Sequence, residues 1–295
     1  VPVAVVASLA AGVCFAVAGV LQQWAAGTRP DEETLSWRLL AHLVRDRWWR
    51  YGIGLAVLAY GFQSLALAYG PLSLVQPLIV AELIFAVPLS ARLHHMALGP
   101  REWFGTLAVA AGLALALASA RPHGGRTGAA DPLSWLLILG ATGALVCCSL
   151  AAARWVSGPW RASATALAAG AVMGTQSVLL AATVDRFRHG ILTALASWQP
   201  YALVVASVGG LLLIQSAFQQ GPLAASMTVL DATEPVVAVT VGMAVFGEAV
   251  HTGWPVSAVT VTGLAVVTAG IVSLDSSPLV AALHDRRFGG GGAAG

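Results

Sequence analysis

Three acidic residues stand where an apolar sequence has least use for them: Glu82, Asp231 and Glu234. Glu82 falls in the middle of "GPLSLVQPLIVAELIFAVPLSARL" (70–93). Asp231 and Glu234 lie in "VLDATEPVVAVTVGMAVFGE" (229–248), three residues apart, so a helix would carry them on one face. A charged acid at the centre of a membrane helix costs about 2.5–3.5 kcal/mol. A buried Arg, Lys or His would offset that cost. The chain has no Lys, and its Arg and His residues lie in polar stretches or near the ends of apolar ones. The acids must then be protonated, hydrated in a cavity, or matched by a cation from outside the protein. The alternative is that they stay neutral and hydrogen-bond to Gln or Thr to hold helices together.

Glutamines form a second set within apolar stretches. An amide offers both donors and acceptors, so it can line a wet path or bridge helices. The candidate substrate- or proton-binding residues are Glu82, Asp231, Glu234, Gln63, Gln76, Gln176 and Gln215. Pro77 and Pro235 interrupt helical hydrogen bonding and are candidate hinges. No Ser/His/Asp cluster, phosphate-binding Gly loop or metal-ligand spacing is present, so neither an enzyme nor a cofactor is expected. Cys14, Cys147 and Cys148 give no disulfide framework and no metal spacing. No basic run is dense enough for nucleic acid.

The elements that must position these residues follow from composition. Of 295 residues, 58% are hydrophobic and 9% charged, against about 25% charged in a soluble domain. That balance implies an all-α polytopic membrane protein, with the lipid bilayer as its solvent. A membrane helix needs about 20 mostly apolar residues. On that basis nine spans are predicted, near 2–24, 50–69, 72–92, 102–120, 132–153, 162–184, 198–219, 222–246 and 254–274. The first begins with no positive segment ahead of it and is expected to be a span rather than a signal peptide. The ten Trp fall in loops or near predicted span ends, at the level of the lipid headgroups. Within "LSWRLLAHLVRDRWWR" (35–50), four Arg rule out a span. It is expected to be an interfacial amphipathic connector, with Leu and Trp toward lipid.

"LAAGVCFAVAGVL" (9–21) matches "LAAGAVMGTQSVL" (167–179) at six of thirteen positions. "YGPL" (69–72) faces "QGPL" (220–223) at an offset of 151, and Glu82 faces Glu234 at an offset of 152. Five spans separate the partners, so each pair runs in opposite directions. The expected organisation is a first repeat over 1–120 with its connector at 34–49, a linking segment over 121–160 that contains span five, a second repeat over 161–275, and a flexible tail over 276–295. Inverted repeats are the usual plan of secondary transporters, with the binding site near the midplane. With nine spans, one face carries eleven Arg and the other four. The positive-inside rule then puts the C-terminus in the cytoplasm and the N-terminus outside, in the cell's inner (plasma) membrane. Gly170 and Gly174, and Gly12 with Ala16, are small-xxx-small steps that permit close helix packing, within one chain or in a homodimer.

"TEPVVAVTVGMAVFGEAVHTGWPVSAVTVTGLAVVTAGIV" (233–272) resembles the end of an EamA-type domain of the drug/metabolite transporter superfamily. Glu234, Pro235, Gly247, Glu248 and Gly263 match its pattern, and 70–93 with "GTLAVAAGLALALA" (105–118) resembles it more loosely. "RLHH" stands where a first-half Gly-Glu would be. The nine-span layout with an amphipathic connector is similar to the NIPA branch, whose members are described as magnesium transporters. The resemblance implies a carrier. The expectation is a proton-coupled exporter of a small metabolite or cationic drug, the alternatives being a Mg²⁺ or other divalent-cation transporter and a non-transporting membrane scaffold.

Overall fold

The computed structural model describes residues 2–26, 41–79, 81–93, 99–120, 123–124, 131–157, 159–220, 223–244, 246, 248–249 and 253–275; some side chains within these ranges, that of Asp231 among them, lie outside the description. The fold is all-α apart from one two-residue bridge. The helices are α1 (Pro2–Ala26), α2 (Arg47–Tyr69), α3 (Leu72–Ile79), α4 (Glu82–Leu93), α5 (Pro100–Ala120), α6 (Pro132–Trp155), α7 (Pro159–Arg188), α8 (Ile191–Leu195), α9 (Gln199–Gln220), α10 (Leu223–Ala244) and α11 (Trp254–Asp275). Strands β1 (His123–Gly124) and β2 (Glu248–Ala249) pair antiparallel.

Five of these helices, α1, α2, α6, α7 and α9, are long and apolar enough to cross a bilayer, and the segments 103–112, 232–243 and 254–270 are shorter apolar helices among the described residues. Large apolar side chains stand exposed along α2 (Val57, Leu58), α6 (Leu133, Leu136, Leu137), α9 (Val204, Val205) and α11 (Val261, Leu264). In water such a surface would be an aggregation hazard, and in a bilayer lipid covers it. The protein is an integral membrane protein.

Local chemistry sets the helix ends. Asp46 caps α2 by accepting from the amides of Trp48 (2.8 Å) and Trp49 (3.2 Å). Asp131 caps α6 just ahead of Pro132. Hydrogen bonds from the Ser134 hydroxyl, and then its amide, hold the Asp131 carboxyl below the usual carboxylate range. The predicted third span is two helices. In an uninterrupted α-helix the Ala81 amide would reach the Pro77 carbonyl, whereas here it bonds Leu78 O at 3.2 Å. Pro77 itself lacks the N–H that would reach the Ser73 carbonyl. Glu82 therefore sits in the first turn of a new helix. Pro235 lies within α10, which continues through it.

The helices pair as α1 with α2, α7 with α9, α1 with α3 and α4, α7 with α10, and α5 with α11. Smaller contacts join α2 to α7, α1 to α9, and α3 to α10, and α6 packs mainly on α7. At the centre is α7, whose many Ala, Gly, Ser and Thr let neighbours approach closely. Its 30 residues reach about 45 Å at 1.5 Å per residue, more than a hydrocarbon core of about 30 Å.

The α5–α11 pair packs backbone on backbone. A Cβ at Gly112 would lie 2.6 Å from Gly263 O and 2.8 Å from Val267 N. One at Gly270 would lie 2.8 Å from Gly105 O. Gly112→Val is expected to wedge the pair apart and to lower stability by about 1–3 kcal/mol. Gly61→Ala, in open space on α2, is expected to be neutral or slightly stabilising. Thermal unfolding in detergent compares the two, and equal midpoints would contradict the tight α5–α11 contact.

Trp135, in the first turn of α6, is buried within the protein, edge-on to Trp198 at 5.0 Å and beside Phe246 at 5.9 Å. Three rings meeting within the bundle bury more apolar area than one ring at the surface. Residues 34–40 of the connector lie outside the described residues. Its described end turns inward, with Leu43 and Trp49 buried against Ala25, Ile53 and Leu211. The tail at 276–295 lies outside the described residues.

Candidate functional site

Glu234 is half-buried on α10, in the turn that packs against α7. The approach of the two helices is set by glycine. A Cβ at Gly174 would meet Glu234 O at 2.7 Å and Val237 Cβ at 2.7 Å, and one at Gly170 would meet Thr233 Cβ at 2.7 Å. Glu82 is held similarly from the other side of the sequence, where a Cβ at Gly12 of α1 would come 3.4 Å from the Glu82 amide nitrogen and 3.3 Å from Ile79 O. Each acid thus enters a segment whose backbone rests on a glycine of another helix.

Polar partners gather at Glu234. The Ser177 hydroxyl of α7 donates to Glu234 Oε1 at 3.3 Å, and Gln63 Nε2 of α2 donates to Ser177 Oγ at 3.4 Å. Gln63 and Ser177 are buried to within one per cent. Tyr60 stands one helical turn before Gln63, and both Glu234 and Glu82 act electrostatically on its phenol. Its ring meets Phe15 of α1 edge-on at 5.0 Å. Every described arginine lies outside the helices or in a first or last turn: Arg45, Arg47 and Arg50; Arg92; Arg101; Arg154; Arg161; Arg186 and Arg188.

The other glutamines are dispersed. Gln215 Nε2 of α9 donates to Gln22 Oε1 of α1 at 3.2 Å, and Gln176 Nε2 donates to Ser207 Oγ of α9 at 3.4 Å. Gln76 is buried on α3, which packs against α10. Among the described residues, Gln76 Nε2, Gln176 Oε1 and Gln215 Oε1 have no hydrogen-bond partner, and a bare amide atom in the interior costs about 1–3 kcal/mol. These atoms can take water or a polar solute. Asp231 is in α10, and its side chain lies outside the described residues. Among the described residues no group of three His, Cys, Asp or Glu could hold a metal ion.

Ser177 and Tyr60 escape sequence reasoning. A serine in an apolar helix ordinarily returns its hydroxyl to the carbonyl four residues back, as Ser8, Ser64, Ser207 and Ser216 do here. Ser177 instead crosses to another helix. Its one sequence signal is its place beside Gln176 in "TQS".

No known family model matches the chain, and no solved structure matches it. The uncharacterized protein Cgl0250/cg0304 of Corynebacterium glutamicum is 33% identical over 255 residues, covering 83% of this chain and 85% of that protein. An identity of that size over most of both chains is shared ancestry. The chain belongs to the same family as this corynebacterial protein.

Proposed function

We propose that the protein is a secondary active transporter, a proton-coupled exporter of a small metabolite or cationic drug that works by alternating access. The observation that carries this reading is the half-buried Glu234 carboxylate, reached by the Ser177 hydroxyl and through it by Gln63, in a bundle whose described arginines are confined to the helix ends and where Glu82 acts on the same Tyr60 phenol as Glu234. Carboxylates gathered away from fixed cations suit a partner that comes and goes. Glu234 and Glu82 would take the proton or cation, with Asp231 as a third acid on α10. Gln63, Gln76, Gln176 and Gln215 would offer amides to the solute.

The helix pairings support an inverted repeat of nine spans. Exchanging α1 with α7, α2 with α9, α3–α4 with α10 and α5 with α11 maps the packing onto itself: α1–α2 becomes α7–α9, and α2–α7 becomes α9–α1. Gln63 becomes Gln215 at the same offset of 152 that relates Glu82 to Glu234. Each of the two glutamines bonds to the opposite half. Such pseudo-symmetry lets two halves trade conformations around a fixed site. Eleven of fifteen arginines then face the side of the C-terminus, which we assign to the cytoplasm across the inner membrane. The resemblance to EamA-type domains agrees with this reading.

The second reading, a Mg²⁺ pathway, draws on the same acids, since Mg²⁺ keeps several waters and needs only one or two carboxylates. Flux into proteoliposomes holding the full chain separates the readings. Uptake of organic cations driven by an imposed proton gradient supports the exporter. Mg²⁺ flux indifferent to that gradient supports the second reading. Absence of both, with protein correctly inserted, sinks transport and leaves a scaffold.

A further inference from the structure

The hydrogen bonds at Glu234 have a fixed direction. An amide NH₂ only donates, so Ser177 Oγ must accept from Gln63. The serine has one hydrogen left, and it points to Glu234 Oε1. The chain runs from α2 through α7 to α10 and ends on a carboxylate. A bond to an ionised acceptor is roughly twice as strong as a neutral one, and bonds in series polarise one another. The two helix contacts in this chain differ in stiffness. Gly170 and Gly174 lock α7 against the backbone of α10. The contact of α2 with α7 is smaller, and the Gln63–Ser177 bond crosses it beside the apolar packing of Leu67.

We propose that Ser177 is the positioning residue through which the charge on Glu234 sets the contact between α2 and α7. With Glu234 ionised, Ser177 turns toward it and presents a lone pair to Gln63. With Glu234 neutralised by a proton or a cation, the charge assistance is gone. Ser177 can then return its hydroxyl to the Met173 carbonyl, as Ser8, Ser64, Ser207 and Ser216 do, and accept from Gln63 only as an unpolarised neutral hydroxyl, as Ser207 accepts from Gln176. Loading of the acid thereby weakens the hold of α2 on the α7–α10 pair. The inference rests on the reading that Glu234 changes charge during transport.

Tyr60 of α2 feels both this carboxylate and Glu82 of α4; α10 itself carries Asp231, and β2, which contacts α10, carries Glu248. Of the elements packed on α10, α3 carries none. Those of α7 are Arg161, Asp185, Arg186 and Arg188 in its terminal turns. Tyr201 opens α9, and Asp275 ends α11.

The test uses the full chain in nanodiscs, with Cys14, Cys147 and Cys148 replaced and nitroxide labels at Tyr69→Cys and Phe187→Cys, exposed positions at the ends of α2 and α7. In the parent, the distance distribution is expected to shift between acid and alkaline buffer. Ser177→Ala and Gln63→Met are each expected to lose that shift, and Ser177→Thr, which keeps the hydroxyl, to recover it. A parent that responds while both variants respond equally overturns the role of Ser177 alone. A parent that never responds overturns it together with the charge-changing reading of Glu234.

Discussion

Glu234→Gln is expected to abolish gradient-driven transport while leaving the protein inserted and at least as stable as the parent. Gln has nearly the shape of Glu, and its carbonyl oxygen can still accept from the Ser177 hydroxyl that reaches Glu234 Oε1 at 3.3 Å. What disappears is the capacity to hold and release a charge. If the acid contributes about 3 kcal/mol of difference between its two charge states, the loss is roughly a 100-fold fall in coupled flux. Stability moves the other way, since removing a carboxylate from the interior relieves its desolvation cost. Loss of coupling with a preserved or raised thermal midpoint is therefore the signature of a transport acid. Coupling lost along with stability would indicate a structural acid. Unchanged flux would remove Glu234 from the mechanism. Pyranine-loaded proteoliposomes and a detergent melt of the same preparation read both quantities.

Glu82→Gln provides a comparison from the other half of the chain. If the two acids act on one phenol as a pair, its removal should also slow coupled flux. Tyr60→Phe keeps the Phe15 contact and removes the group on which the two acids act.

Much of the fold is legible because hydropathy has few ways to be satisfied in lipid. The predicted 50–69 and 254–274 correspond to helices at Arg47–Tyr69 and Trp254–Asp275, where apolar runs stop at Arg, Trp or polar clusters. The division of 72–92 into α3 and α4 escapes hydropathy, which runs on without a dip. A proline alone does not decide it: α3 ends two residues after Pro77, whereas α10 continues through Pro235. The site is legible in its acids, because an unpaired carboxylate in an apolar run is conspicuous. Its neutral members are not. Ser177 and Tyr60 are ordinary in composition, and their roles arise from which face of α7 and of α2 turns toward α10. Trp135 shows the same limit from the other side: an aromatic near a helix end suits a membrane anchor and a core cluster equally, and only the neighbours Trp198 and Phe246 decide.

Gly174→Val is expected to damage function more than stability. Glycine at 174 lets the α10 backbone come so near that a Cβ would sit 2.7 Å from the carbonyl oxygen of Glu234 itself. A backbone oxygen cannot swing aside as a side chain would, so α10 must move by a few tenths of an ångström or more at the residue that carries the charge. Overpacking of this kind costs about 1–3 kcal/mol, which a membrane protein of this size can survive. The Ser177–Glu234 bond is already long at 3.3 Å, and further separation takes it past the limit of a useful hydrogen bond. Misplacement of a reacting group by about 1 Å can reduce rate by as much as 100-fold, and coupled flux is expected to fall at least tenfold. Gly140→Ala on α6, where a Cβ meets nothing within 4 Å, controls for loss of glycine alone and should transport normally. If Gly174→Val transports like Gly140→Ala, the close seating of α10 on α7 has no part in the cycle, and Glu234 is positioned by something other than the helix on which it rests.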